Sequence, residues 1–343
     1  MPGDQPVLEA VDVGKEFPVH DRFGGSRAVR AVEHANLALY PGRITALVGE
    51  SGSGKTTLAR LLALFHPPTS GEIRLDGLPV TAATPRGEYH SAVQLVFQDP
   101  FAALNSLHRA RYMLRRALQL HGRGGSRAEV ERASLDLLRR VNLTPPERIL
   151  DSFPHQLSGG QRQRLVIARA LAVQPRVLLA DEPISMLDVS IRLDVLNLLA
   201  TLRDEQGLAM LYITHDIASA RYLADTVHVM YAGQTVEGGP RDSVILQPKH
   251  PYTRLLLDSS PDPARSMADG ADDPFAGVAE AGEPPNLADP PPGCRFHPRC
   301  PFAMDECRRE FPARTTFADG GWAHCWLHRK GRTGELLADV AVS

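Results

Sequence analysis

The chain has almost no net charge, no long apolar segment and, over its first 293 of 343 residues, no cysteine. A formal net charge of -2 leaves no global basic field, so we expect no nucleic-acid partner. No apolar run approaches the ~18 residues that a membrane span needs. The first residues show neither the basic nor the apolar region of a secretory signal, which predicts a cytoplasmic protein.

The cysteines divide the chain into parts. All four lie between Cys294 and Cys325. The stretch 258–293 before them is rich in proline, alanine, aspartate and glycine, with eight acidic residues against one basic residue. Such a composition buries little apolar surface and predicts a mobile linker. We therefore expect a body over residues 1–257, a linker over 258–293 and a cysteine-bearing extension over 294–343.

Within the body, strand-like and helix-like segments alternate, which predicts a layered α/β core. Residues 43–48 are typical of a buried strand and are followed by a helical run over 57–65; a second helix is predicted over 127–141. Short apolar runs at 177–180 and 209–213 suit interior parallel strands. Asp76-Gly77 between apolar residues predicts a hairpin.

A phosphate-binding loop stands between the first of these strands and its helix. Residues 49–56 fit the pattern G-x-x-x-x-G-K-[ST] without a gap. Its glycines let backbone N–H groups turn toward a polyphosphate, and the helix start adds partial positive charge. Lys55 would contact the β- and γ-phosphates and Thr56 would bind Mg²⁺. The predicted nucleotide-binding residues of the loop are Gly49, Glu50, Ser51, Gly52, Ser53, Gly54, Lys55, Thr56 and Thr57.

Two later motifs add chemistry to this loop. Asp181 and Glu182 end an apolar strand, where Asp181 could hold Mg²⁺ and Glu182 could polarise an attacking water. Ser158 precedes a helical stretch and is a natural N-cap, beside glycines that leave backbone donors open.

Leu-Ser-Gly-Gly-Gln at 157–161 is the signature of ATP-binding-cassette (ABC) ATPases, and the chain resembles that family closely. The resemblance implies a P-loop NTPase fold with a RecA-like core, an antiparallel β subdomain and an α-helical subdomain. It implies that Gln98 contacts Mg²⁺ and the attacking water, that His215 contacts the γ-phosphate, and that Phe17 stacks on adenine. Asp188 then belongs to the D-loop.

In the resembled family, two cassettes face head to tail and each ATP lies between one P-loop and the opposite signature. The signature residues that would contact the partner's nucleotide are Ser158, Gly159, Gly160 and Gln161. One departure is visible near the D-loop, where the family usually has Thr-Ser-Ala-Leu-Asp. Ile184 replaces the threonine and Met186 replaces the alanine, which puts communication between subunits in question.

The segment 293–303 is very similar to the C-terminal extension of oligopeptide/dipeptide importer ATPases. That likeness implies ATP-driven uptake through two membrane permeases, fed by an extracellular or periplasmic solute-binding protein. It also implies a peripheral location on the cytoplasmic face of the membrane and a second ATPase subunit, identical or related. Relatives of this type also serve sugars or nickel.

The cysteine spacing is Cys294-x5-Cys300-x6-Cys307-x17-Cys325. Clustered thiols in a cytosolic protein indicate metal binding, although the spacing differs from common zinc ribbons. In the resembled family such an extension can hold a [4Fe-4S] cluster through four cysteines; zinc and free or disulfide-linked thiols are the alternatives. We expect an aromatic core around these thiols, built from Phe296, Phe302, Phe311, Trp322 and Trp326.

Three other functions compete. An ABC ATPase of DNA repair or translation commonly carries a coiled-coil insertion or two cassettes in one chain, and neither is visible here. A regulatory module with an inactive site conflicts with the intact Lys55, Glu182 and His215. A P-loop kinase conflicts with the signature motif.

Overall fold

The computed structural model describes residues 5–20, 26–120, 122, 125–259 and 283–329. The strands are β1 Leu8–His20, β2 Ser26–Leu39, β3 Ile44–Val48, β4 Ser70–Leu75, β5 Leu78–Pro79, β6 Val93–Val96, β7 Val177–Asp181, β8 Ala209–Thr214, β9 Thr226–Tyr231, β10 Gln234–Pro240, β11 Thr315–Thr316 and β12 Trp322–Ala323. The α-helices are α1 Lys55–Leu62, α2 Arg86–Ala92, α3 Pro100–Ala103, α4 Ala110–Leu120, α5 Arg127–Arg140, α6 Pro146–Asp151, α7 Gly159–Leu171, α8 Val189–Gln206, α9 Ile217–Leu223, α10 Arg241–Leu246, α11 Pro251–Asp258 and α12 Asp305–Arg309. Short 3₁₀ turns cover Pro154–Gln156, His297–Arg299 and Trp326–His328.

The larger sheet places the predicted motifs at one edge. Its eight strands run in the order β11-β12-β10-β9-β3-β8-β7-β6, and the strands from β9 to β6 are parallel. Strands β3, β7 and β8 are buried along their whole length, as expected for a parallel sheet covered on both faces. The P-loop follows β3, Asp181 is the last residue of β7 and His215 follows β8, so the carboxyl ends of these parallel strands bring the three together.

A second sheet of four strands, in the order β2-β1-β4-β5, is antiparallel in all its pairings. The predicted hairpin is confirmed: Leu75 pairs with Leu78 across the turn. Asp76 and Gly77 have φ angles of 53° and 74°, the left-handed conformation that a two-residue turn of this type requires.

Helices α4, α5 and α6 contact one another, and α4 and α5 pack against α7, which carries the signature motif at its start. The predicted helix over 127–141 is α5. Its apolar face buries Val130, Leu137 and Leu138 in the same hydrophobic core that holds Leu165 of α7. This arrangement gives the α-helical subdomain expected from the resemblance. No helix in the described part of the chain is long and apolar enough to cross a membrane.

The cysteine-bearing extension joins the body directly. Strand β12 pairs with β10 and thereby lengthens the larger sheet. Phe296, one of the aromatic residues expected to form a core around the thiols, is fully buried in the main core of the body together with Cys294 and Cys307. The predicted linker lies mostly outside the described residues, in 260–282. Its described end contacts the body, where Leu287 O accepts a hydrogen bond of 3.0 Å from Arg30 N.

Candidate nucleotide-binding site

The loop between β3 and α1 has the conformation that its glycines were expected to provide. Gly54, immediately before α1, has a φ of 103°. A Cβ atom there would come within 2.4 Å of Ala31 O, so only glycine fits without a shift of the backbone. The first helical N–H groups of α1 have no capping side chain and are left for another acceptor.

Lys55 is the buried cation of the site, with 4% of its surface exposed. Its ammonium donates hydrogen bonds of 2.8 Å to Gly49 O and to Glu50 O. Burial lowers its pKa, and the carboxylates of Glu182, Asp181 and Glu50 act in the opposite direction. A polyphosphate would supply the negative charge that this buried ammonium requires.

Thr56 and Asp181 place two oxygen donors side by side. The Thr56 hydroxyl donates to Asp181 Oδ1 over 3.1 Å. Burial raises the pKa of Asp181, and the adjacent Glu182 adds to the rise, whereas the Thr56 hydrogen bond opposes it. A buried carboxylate beside a hydroxyl suits a hard divalent cation, so these residues fit Mg²⁺.

Glu182 is contacted from two sides. Gln98 Nε2 donates a hydrogen bond of 2.8 Å to its Oε2, and His215 Nδ1 lies 3.2 Å from its Oε1. Its backbone has a φ of 46° and its N–H donates to Ile213 O in β8. Gln98 and His215, the other two predicted catalytic residues, therefore both contact the carboxylate of Glu182.

These groups line a cavity of about 490 Å³. Its lining residues are Ala31, Ser51, Gly52, Ser53, Gly54, Lys55, Thr56, Thr57, Gln98, Glu182, His215 and Leu287. Sequence reasoning missed Ala31 and Leu287, which approach from β2 and from the predicted linker. Phe17 is not among the lining residues: its ring packs edge-on against His66 with centroids 5.3 Å apart.

The signature residues begin α7 as the sequence predicts. Ser158 Oγ accepts a hydrogen bond from Gln161 N, and the Gln161 side chain accepts one from Ser158 N, which is a complete capping box. A Cβ on Gly160 would approach Ile191 Cγ2 of α8 to 2.5 Å, so this glycine permits close packing of the two helices. The signature does not line the P-loop cavity described above.

The departures near the D-loop have different surroundings. Ile184 is buried in the main core, where an apolar side chain is suitable. Met186 is 55% exposed, and Asp188 is exposed at the start of α8. The changed surface is therefore at Met186 alone.

The four cysteines are free thiols, two buried and two half-buried. Burial raises the pKa of Cys294 to about 11 and that of Cys300 to about 12. Burial also raises the pKa of Cys325, with smaller contributions from the other three thiols. Among the described residues, no group of three or more histidine, cysteine, aspartate or glutamate side chains is arranged to hold a metal ion.

Comparison with known proteins agrees with this geometry. Residues 32–185 match the "ABC transporter" family, and residues 236–307 match "Oligopeptide/dipeptide transporter, C-terminal region". The chain is 39% identical to a "Probable peptide ABC transporter ATP-binding protein" of Sinorhizobium fredii, over 98% of this chain and 94% of that protein. It is 41% identical to a "Di/tripeptide transport ATP-binding protein" of Pseudomonas aeruginosa, over 90% and 94%.

A solved structure gives the same result for the fold. The ATP-binding cassette MJ0796, solved as a dimer bound to ADP and Pi, has a TM-score of 0.61 and 28% identity. The likeness covers 68% of this chain and 98% of that one. The sequence-based prediction of an ABC ATPase fold is confirmed.

Proposed function

The chain belongs to the family of ABC transporter ATP-binding proteins, and we propose that it is the ATP-hydrolysing subunit of an importer of oligopeptides or dipeptides. The observation that carries the peptide assignment is the match of residues 236–307 to the C-terminal region of peptide transporters, together with relatives named for peptide transport over almost the whole chain. Sugar and nickel remain the alternative cargoes.

We propose that the cavity beside Lys55 binds the phosphates of ATP. Lys55 would exchange its carbonyl partners in the loop for the β- and γ-phosphates, and the N–H groups at the start of α1 would bind phosphate oxygens. Thr56, Asp181 and Gln98 would hold Mg²⁺, which neutralises charge on the phosphates. Stacking of Phe17 on adenine stays a prediction.

We propose that the carboxylate of Glu182, which Gln98 and His215 contact, carries out hydrolysis. Glu182 would accept a proton from the attacking water, because it lines the same cavity as the P-loop. Gln98 and His215 hold those oxygens in place. Such positioning lowers the barrier by pre-orienting the water and the base.

We further propose that two cassettes close on ATP. Ser158, Gly159, Gly160 and Gln161 lie outside the chain's own P-loop cavity. The capping box occupies the N–H groups of Ser158 and Gln161, which leaves those of Gly159 and Gly160 for a nucleotide held by another subunit. Asp188, exposed with Met186, would face the same partner. The partner is a second copy of this chain or a related ATPase, and the pair would dock on two permeases at the cytoplasmic face of the membrane.

The four thiols of the extension are proposed as ligands of a [4Fe-4S] cluster, with zinc as the alternative. The support for this proposal is the likeness of segment 293–303 to the extension of importer ATPases and the confinement of all four cysteines to that extension. The described thiols do not form a ready metal site, so a cluster would have to draw them together as it binds. Purification without oxygen tests this: a brown protein with about four iron atoms per chain supports the cluster. A colourless protein with one zinc, or with no metal, overturns it.

The transport assignment is tested by isolating the tagged chain from native membranes and identifying what co-purifies. Two permeases are expected, and the assembly reconstituted in vesicles with its solute-binding protein should take up peptides when ATP is supplied on the side of the cassette. The same assembly carrying Glu182→Gln is the control and should not. ATP-driven uptake of a sugar or of nickel, without peptide uptake, would overturn the peptide assignment.

A further inference from the structure

An ion pair joins the cysteine-bearing extension to the P-loop. Arg299, at the end of a 3₁₀ turn and next to Cys300, is only 8% exposed. Its Nη1 lies 2.9 Å from Glu50 Oε2 and 3.1 Å from Oε1, and its Nη2 lies 3.1 Å from Oε1. Two guanidinium nitrogens thus hold one carboxylate from a position 249 residues away in the chain.

The acidic partner, Glu50, is the second residue of the P-loop. A carboxylate at that position repels the polyphosphate that the loop is proposed to bind, and the repulsion is strong where water is scarce. Arg299 supplies the compensating positive charge. Two aromatic rings lie beside the guanidinium: the centroids of Tyr231 and Phe296 are 5.8 and 5.9 Å from its central carbon. These rings limit the access of water to the pair.

The backbone of Glu50 is fixed as well. Its N–H donates a hydrogen bond of 2.8 Å to the Tyr252 hydroxyl oxygen. Tyr252 is fully buried and packs against Phe296 of the extension, with ring centroids 5.4 Å apart. Side chain and backbone of Glu50 are therefore both held by groups that belong to the extension or contact it.

We propose that Arg299 is a positioning residue of the nucleotide site: it neutralises Glu50 and fixes the first turn of the P-loop, so that the loop accepts a polyphosphate. The proposal rests on the nucleotide assignment made above. Through Arg299 the extension would contribute directly to ATP binding, independently of any role of its thiols.

The test measures the affinity of the full-length protein for Mg-ATP, with a fluorescent ATP analogue as the probe. Arg299→Ala should weaken binding about tenfold, because an uncompensated charge near the phosphates costs that much at an intermediate dielectric. Adding Glu50→Gln to Arg299→Ala should restore affinity to within about threefold of the wild type, because it removes the charge that Arg299 compensates. Because Glu50→Gln also removes an unpaired charge that would destabilise the fold, thermal unfolding is measured beside the affinity, and affinities are compared at a temperature where every variant is folded.

The matched control is Asp319→Asn. Asp319 also joins the extension to the body, through an ion pair of 2.8 Å with Lys249, but that pair does not touch the P-loop. This variant should lose thermal stability and keep its affinity for ATP. If Arg299→Ala does not fold, Arg299→Lys, which keeps the charge and loses the two-nitrogen contact, should fold and bind ATP more weakly than the wild type.

The outcomes separate the two proposals. Wild-type affinity in folded Arg299→Ala, or no recovery in the double variant, overturns the role of Arg299. Absence of ATP binding by the wild-type protein overturns the nucleotide assignment itself. Binding by the wild type that is lost in Lys55→Met, together with an unaffected Arg299→Ala, leaves the nucleotide site intact and rejects only the present inference.

Discussion

The side-chain amide of Gln98 donates a 2.8 Å hydrogen bond to the carboxylate of Glu182, although the two residues are 84 positions apart. Gln98 follows β6 and Glu182 follows β7, which are neighbours in the parallel sheet. A change in the segment after β6 therefore moves a group that directly contacts the proposed general base. Through this one hydrogen bond, a movement of the segment after β6 would displace the carboxylate proposed to activate water.

Replacing Glu182 by glutamine is expected to abolish turnover and to leave ATP binding intact. The amide keeps the size of the side chain but accepts no proton from water at neutral pH. We expect a fall in the rate of phosphate release of about a hundredfold or more. Steady-state release near the wild-type rate, in the assembly with its permeases, would remove Glu182 as the base.

Replacing Lys55 by methionine is expected to weaken ATP binding about a hundredfold, because it removes the buried positive charge beside the phosphates. Methionine keeps a long apolar stem, so the packing around α1 is largely preserved. Calorimetry with Mg-ATP measures the effect, and circular dichroism checks the fold. Unchanged affinity would contradict the assignment of residues 49–56.

Ser158 and Ser126 offer a matched pair, since each forms a complete capping box at the start of its helix. Alanine at either position should cost about 1 kcal/mol of stability, measured by denaturant unfolding. Only Ser158→Ala should also reduce ATP-dependent dimerisation and phosphate release. Equal activity of the two variants would show that Ser158 is a helix cap and nothing more.

Glu237 should make stability depend on pH. It is 1% exposed, and burial raises its pKa to about 7. The folded state then binds a proton more tightly than the unfolded state, so its contribution to stability is complete below about pH 4.5 and is lost as the pH rises through about 7. The loss is on the order of 3 kcal/mol at most.

The measurement is the free energy of unfolding between pH 4.5 and 8. Burial lowers the pKa of His228 to about 4 and that of His250 to about 3, so both histidines add a slope of opposite sign that the variant retains. The prediction is therefore the difference between the two profiles: from pH 4.5 to 8 the wild type should lose stability relative to Glu237→Gln. The exposed Glu205→Gln is the control and should leave the slope unchanged. A wild-type slope in Glu237→Gln would show that the carboxylate does not titrate in this range.

The parts of the fold that sequence predicts well are set by local chemistry. Asp76-Gly77 determines its own turn, and the glycines and lysine of residues 49–56 define a loop wherever a strand and a helix flank them. Asp181 is placed at the phosphate site because it ends an apolar strand, whereas the place of His215 comes from the resemblance to ABC ATPases; the parallel pairing of β7 and β8 explains why the two residues share one edge of the sheet. These inferences require no knowledge of distant packing.

The contacts that sequence did not predict are long-range. Nothing in the local pattern around Arg299 indicates that it pairs with Glu50, since the partners are 249 residues apart. Leu287 lies in a segment whose acidic, proline-rich composition predicts a linker, yet it lines the cavity. The packing of Phe17 against His66 depends on how β1 meets the segment after α1, which is set by the tertiary structure.

The pairing of β12 with β10 also bears on how this protein can be shortened. A fragment ending near residue 258 would keep the P-loop and the signature but would lack β12, the strand that pairs with Glu237 and Gly238 of β10. Its outermost strand would then present bare amide and carbonyl groups, which favour edge-to-edge association of separate molecules. Studies of an isolated cassette should therefore retain the chain at least through Ala323.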